Sequence, residues 1–377
     1  MSLTSIIRES VAGFWSRPQS TGAVQPPPDP LDMPEVPPDV RRLIRERRYC
    51  RVLAPNDGIN FDDLSVYFAW KAAQQEMALV PAGEVTLTTD LAVATPQGFE
   101  FEPATYDSIP VSAVYLDRTP VTNADFARFV DGGGYANPEL WPEEILPDVL
   151  QFTDSTGRPG PRFWVDGRPP AGSATHPVTG ICWYEASAFA VWAGKRLPTS
   201  AEWQRAGTWA GSRDTHGHEV RYPWGDAFDP GRANTWAARR GGTVAVEEFP
   251  DGATPNGIRH LIGNVWEWVD AQFTLPGEDD IRLVVEQPLA EIRGGAFDTY
   301  FESQASCQFR TGQPLMHRGA NVGFRCCISN DLLPPMPDLP TPTQATSGQN
   351  AASSGRDATS SGRDAVIAGS DTPEKPT

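Results

Sequence analysis

Proline and glycine punctuate this chain so densely that long helices and long strands have no room in most of it. There are 37 Pro and 34 Gly among 377 residues. Each Pro fixes φ and removes a backbone donor, and each Gly loosens the backbone, so the segments between them are short and end in turns. Among those turns stand 12 Trp, 17 Phe and 8 Tyr, rings that bury a large area each. Such a chain favours short elements held by aromatic clusters and joined by rigid loops. Its 39% hydrophobic content is enough for a sizeable core.

The formal net charge is −17. A surface this acidic repels a phosphate backbone, so nucleic acid is excluded as a partner, while divalent cations are compatible with it. Five cysteines, Cys50, Cys182, Cys307, Cys326 and Cys327, are an odd number with no dense framework. A reduced, cytoplasmic chain is the simplest expectation. The first twenty residues lack a secretory pattern; Ile6, Ile7, Val11, Phe14 and Trp15 can line one face of a short helix. No run is long enough for a transmembrane helix.

Composition divides the chain into four segments. Residues 1–40 read as a flexible segment and Pro-rich linker. Residues 41–76 are a helical lead-in: RRLIRERRYCRVL and FDDLSVYFAWKAAQQ look helical, the second with Leu64, Phe68 and Ala72 at four-residue spacing. Residues 77–330 form the main domain, and 331–377 a Pro/Ser/Gly-rich tail with too few apolar anchors to offset its ordering entropy. In the main domain, Thr122 or Asn123 caps a helix with Phe126 and Phe129 inward. A second helix runs from about Tyr184 to Ala193 with Ala186, Phe189, Ala190 and Ala193 on one face, and Gly194 stops it. Thr199 and Glu202 make a capping box for a third. AVYLDRTPV, EIRGGAF and VGFRCCI read as strands. GNVWEW is extended, with Trp266 and Trp268 expected on alternate faces, one in the core and one lining a loop. The fold class is α+β and irregular, with long loops.

The blocks MALVPAGEVTL, VYLDRTPVTNADFARFV, HPVTGICWYEASAFAVWAGKRLPTSAEWQRAG, RYPWGD, RANTW, PNGIRHLIGNVWEWVD, IRGGAF and ANVGFRC occur in that order. Together they resemble the formylglycine-generating-enzyme, or sulfatase-modifying factor, family over about 250 residues. The resemblance implies a C-type-lectin-like fold with short helices, a small twisted sheet and much irregular chain.

Oxidising members of that family use two cysteines just after the Gly-Gly turn to hold copper. Here Thr299 and Gln304 occupy those positions by offset, and neither is a soft ligand. Cys326 falls on the cysteine of the family's GFRC ending; its expected partner position is Ala190, so it reads as a free, packed thiol. Another branch of the family holds iron largely through histidines of an added domain. Of His176, His216, His218, His260 and His317, only His216 and His218 make an H-x-H pair, and no third ligand is spaced to join them. Copper and iron are therefore not expected. The resemblance implies calcium, held by Asn234 and Thr235 at one place and by the carbonyls of Gly263 and Val265 with the Glu267 carboxylate at another, where His260 replaces the usual oxygen donor.

Two readings follow. In the first, the chain is a non-catalytic module that binds a protein or peptide partner through its C-terminal loops, using Trp183, Asp298, Thr299, Tyr300, Phe301, Glu302, Gln304, Phe309, Arg310 and Asn321. In the second, it is an oxidative or accessory enzyme of the pyoverdine-maturation type. Glu267, Glu302, His317 and Arg318 are then the acid/base or substrate-contacting groups.

Overall fold

A computed structural model describes residues 36–338 apart from 56–57, 88–89, 96–97, 104–107, 211–218 and 274–287, with side chains of 88–107 excluded. His216, His218, the N-terminal helix face and the tail beyond 338 lie outside the described residues. No described helix is long and apolar enough to cross a membrane.

The lead-in is three helices: α1 (Pro38–Arg45), α2 (Cys50–Leu53) and α3 (Asp63–Glu76). The stretch that reads as one helix in sequence breaks at Arg47, whose φ is +61°. Asp62 caps α3 by accepting from Ser65 N at 2.7 Å. On α3, Ala72 is buried as its spacing implies, but Leu64 and Phe68 are only partly covered, and Ser65, Ala69 and Ala73 go deepest. Val36 and Val40 join this cluster from the linker side. Leu333 and Met336 join it from beyond Asn330, and Trp70 Nε1 donates to Pro334 O at 3.0 Å. The packed unit therefore begins before residue 41 and continues past residue 331.

Six short strands follow: β1 (Met77–Val80), β2 (Gly83–Thr86), β3 (Asp90–Thr95), β4 (Gly98–Pro103), β5 (Ser108–Val111) and β6 (Val114–Asp117). Then come α4 (Asn123–Asp131), α5 (Leu146–Val149), α6 (Trp183–Trp192) and α7 (Ser200–Thr208). The chain closes with β7 (Trp266–Gln272), β8 (Leu289–Arg293), β9 (Arg310–Pro314), β10 (Val322–Phe324) and β11 (Cys327–Ser329). β1, β6 and β11 form one antiparallel sheet. β10, β7, β8 and β9 form another, in which β10 runs parallel to β7. β2–β5 and β3–β4 are separate pairs.

Local chemistry sets the helix ends. Thr122 and Asp125 form a reciprocal capping box on α4, and Thr199 and Glu202 do the same on α7. Gly194 ends α6 at φ +74°, and a Cβ there would lie 2.8 Å from Arg51 N. One glycine thus supplies both the left-handed stop and the close approach of α2. Between α4, α6 and β10, Phe126 stacks on Phe189 at 5.5 Å, with Phe129, Trp192 and Phe324 edge-on or tilted around them.

The expected split of Trp266 and Trp268 is corrected. Side chains two apart on a strand share a face, and both indoles enter the same cluster. Glu267 takes the opposite face.

Candidate functional site

The surface that carries the candidate site is thrown out by the Gly294–Gly295 turn after β8. Both residues have positive φ, +91° and +78°, and a Cβ on Gly294 would lie 2.4 Å from Leu261 O. Only glycine fits so close to another backbone. Four residues after Gly295, Thr299 folds back: its hydroxyl accepts from Ala296 N at 2.8 Å, and its own N–H donates to Ala296 O at 3.0 Å. Thr299 is buried and its oxygen is occupied.

Tyr300 and Phe301 then point outward, 69% and 61% exposed. Their rings meet edge-on at 5.3 Å, and Tyr300 lies 6.3 Å from Trp236, itself 60% exposed. The two loops are tied by Trp236 N donating to Thr299 O at 3.2 Å. Trp236 stands in the RANTW block, next to the expected calcium ligands, and is not among the expected binding residues. Asp298, Glu302 and Ser303 are exposed around the rings and Gln304 is half-buried. Asn321 Nδ2 donates to both carboxylate oxygens of Asp298, at 3.2 and 3.0 Å. Asn321 Oδ1 and His317 Nε2 lie 3.0 and 2.5 Å from the point where a Cβ on Gly319 would stand, so this glycine keeps a gap between them. Burial and the nearby Arg162 charge hold His317 below its ordinary pKa.

Other expected site residues turn inward. Trp183 Nε1 donates to Val269 O at 3.0 Å and its ring packs on the aromatic core. Phe309 lies half-buried against Trp266, 6.0 Å between rings. Arg310 reaches Glu291 at 3.4 Å. Arg318 pairs with the buried Glu185 at 2.8 Å, donates to Thr153 O and Gly160 O, and sits over Phe152. Glu267 accepts from Arg325 on both oxygens and from Trp203 Nε1, each at 2.7 Å. The four expected catalytic groups are therefore not one constellation. Glu267 and Arg318 spend their charge on separate buried partners, while Glu302 is exposed and His317 half-buried.

The two expected calcium positions differ. Asn234 Oδ1 and Thr235 Oγ1 are buried oxygens without a hydrogen-bond donor, which fits a hard cation. The Glu267 position does not fit. Arg325 already neutralises the carboxylate, the Gly263 carbonyl accepts from Val265 N at 2.9 Å, and His260 presents a buried, unpartnered Nε2 where an oxygen is needed. Among the described residues no three His, Cys, Asp or Glu side chains gather where they could hold a metal ion.

All five thiols are free and buried. Burial pushes Cys50 and Cys307 up to about 12 and Cys182, Cys326 and Cys327 well above their ordinary value. They are protonated thiols at neutral pH, poor nucleophiles and poor soft-metal ligands.

The chain is similar to the hercynine oxygenase of Mycolicibacterium smegmatis, 35% identical over 208 residues, which are 51% of this chain and 45% of that protein. It thus spans less than half the length of that relative. It is 35% identical over 212 residues to the formylglycine-generating enzyme of Mycobacterium tuberculosis, 46% of this chain and 68% of that enzyme. It is 29% identical over 282 residues to the inactive C-alpha-formylglycine-generating enzyme 2 of Bos taurus, 66% of this chain and 87% of that protein. Residues 64–330, running from α3 to the end of the last sheet, match the sulfatase-modifying factor enzyme 1-like domain, and the chain belongs to that family.

Proposed function

We propose that this chain is a binding module on the sulfatase-modifying-factor scaffold, taking a protein or peptide on the loop surface formed by Trp236, Asp298, Tyr300, Phe301, Glu302 and Asn321. The observation that carries the reading is the trio of exposed rings over a Thr299 whose hydroxyl is already bonded. Contiguous exposed aromatics are uncommon on monomer surfaces and are the side chains that anchor interfaces. Thr299 and Gln304 offer no thiol for copper, and one similar protein is itself named inactive. Asn234 and Thr235 would hold calcium as a structural ion behind this loop; bound there, the ion would brace the backbone that presents Trp236.

A second reading, an oxidative or accessory enzyme, draws on His317 and Asn321 flanking the Gly319 gap and on similarity to oxygenases. One experiment separates the two. Peptides are selected from a random display library against the full chain and re-tested on Tyr300→Ala and Phe301→Ala. Enriched peptides should lose at least about tenfold in affinity on either variant, the size of a hot-spot truncation. Peptides that bind the variants equally well would sink the binding reading. Oxygen uptake with thiol peptides, together with one equivalent of bound copper or iron, would establish the enzymatic one.

A further inference from the structure

From the geometry at the GNVWEW turn we infer that Arg325 is a built-in cation that takes the place of a divalent ion at Glu267, so that this turn is held together without calcium. A divalent ion at such a place would join the carboxylate to carbonyls of neighbouring segments through six to eight oxygens. The Arg325 guanidinium makes those joins itself. Nε donates to Glu267 Oε2 and Nη2 to Glu267 Oε1, both at 2.7 Å. Nη1 donates to Asp117 O at 3.0 Å, at the end of β6, and Nη2 also donates to Arg259 O at 2.7 Å, in the loop before β7. One planar fork thus ties β7, β6, β10 and the 259–265 loop. Both members of the pair are sealed from solvent.

Three further features close the place to an ion. The second oxygen of Glu267 also receives Trp203 Nε1 at 2.7 Å, so both carboxylate oxygens already accept strong donors. His260 stands where an oxygen ligand is expected, with its Nε2 buried and unpartnered, and a hard cation prefers oxygen to imidazole. A dication beside Glu267 would face the fixed guanidinium charge at a place where both partners are buried and screening is weak. Arg325 leaves the Asn234 and Thr235 oxygens untouched, so of the two expected calcium positions that one alone stays open to an ion.

A lanthanide, which follows calcium's oxygen preference and is seen by anomalous scattering, tests this in crystals of the full chain. The expected result is no peak within bonding distance of the Glu267 carboxylate. A peak there with Arg325 displaced overturns the inference. In solution, urea midpoints of wild type and Glu267→Gln are compared in calcium and in EGTA. Glu267→Gln should be destabilised by the same amount in both. A calcium-dependent stabilisation present in wild type and absent in Glu267→Gln overturns it as well. Thr235→Val, which removes a hydroxyl without a protein partner and keeps the shape, is the control. Any calcium-dependent shift of the wild-type midpoint should shrink in that variant alone, and a shift that survives it undiminished while vanishing in Glu267→Gln counts against the assignment.

Discussion

Glu291→Gln tests whether the floor beneath the loop surface is held by charge. Glu291 and Arg293 are 1% and 0% exposed. Arg293 Nη1 reaches Glu291 Oε1 at 3.0 Å and Ser200 Oγ at 3.0 Å, and Nη2 donates to Gln204 Oε1 at 2.9 Å and Cys307 O at 2.7 Å. The guanidinium lies 5.2 Å from the centre of the Trp203 ring. Burial lowers Arg293 from its ordinary pKa while Glu291 opposes the shift, so the carboxylate is what offsets a costly buried cation. The amide keeps the shape and one acceptor but removes the charge, leaving Arg293 uncompensated with Arg310 close by. Breaking a buried pair in this way costs about 3–5 kcal/mol; the retained acceptor places this case near about 3 kcal/mol. For a domain of this size that is a loss of roughly 6–12 °C in Tm. Urea unfolding followed by tryptophan fluorescence reads it. Replacing both members, Glu291→Leu with Arg293→Met, should recover only part of the loss, because it removes the uncompensated cation but leaves Gln204 Oε1 and Cys307 O without their donor. A single-variant loss under about 1 kcal/mol, or a double variant no better than the single, refutes the reasoning.

Two further outcomes concern the scaffold. Asp154 is buried, which opposes its ionisation, yet hydrogen bonds from Thr156 Oγ1, Gly167 N, Thr156 N and Arg158 N outweigh burial and hold it down to about 2. A carboxylate depressed on folding contributes stability above its unfolded value and loses it as pH falls toward the folded one. Midpoints of wild type should therefore drop between about pH 5 and about pH 2 by an amount on the order of 2 kcal/mol more than those of Asp154→Asn; equal slopes would refute the assignment. Gly134→Ala would place its Cβ 2.1 Å from the ring of the buried Phe129, so a loss of about 1–3 kcal/mol from overpacking is expected, and an unchanged thermal midpoint would show that the ring yields freely.

What the sequence determined by itself was local. The helix start at Thr122 or Asn123, the capping box at Thr199, the stop at Gly194 and the Gly294–Gly295 turn each depend on residues within about four positions, where backbone donors and steric limits decide the outcome. The ordered blocks carried the family, and the absence of thiols at Thr299 and Gln304 was already plain. Tertiary structure decided what each side chain is free to do. Glu267 reads as a ligand or a base until Arg325, 58 residues away, fills both of its oxygens. Arg318 reads as an acid/base or substrate-contacting group, and Phe309 as a surface anchor, until Glu185 and Trp266 draw them in. Trp236 carries no signal of a binding role in the sequence until Thr299 brings its loop beside Tyr300. The physical reason is range. Hydrogen-bond caps and strand periods act along a few residues, whereas burial and charge pairing depend on neighbours that only the folded chain assembles.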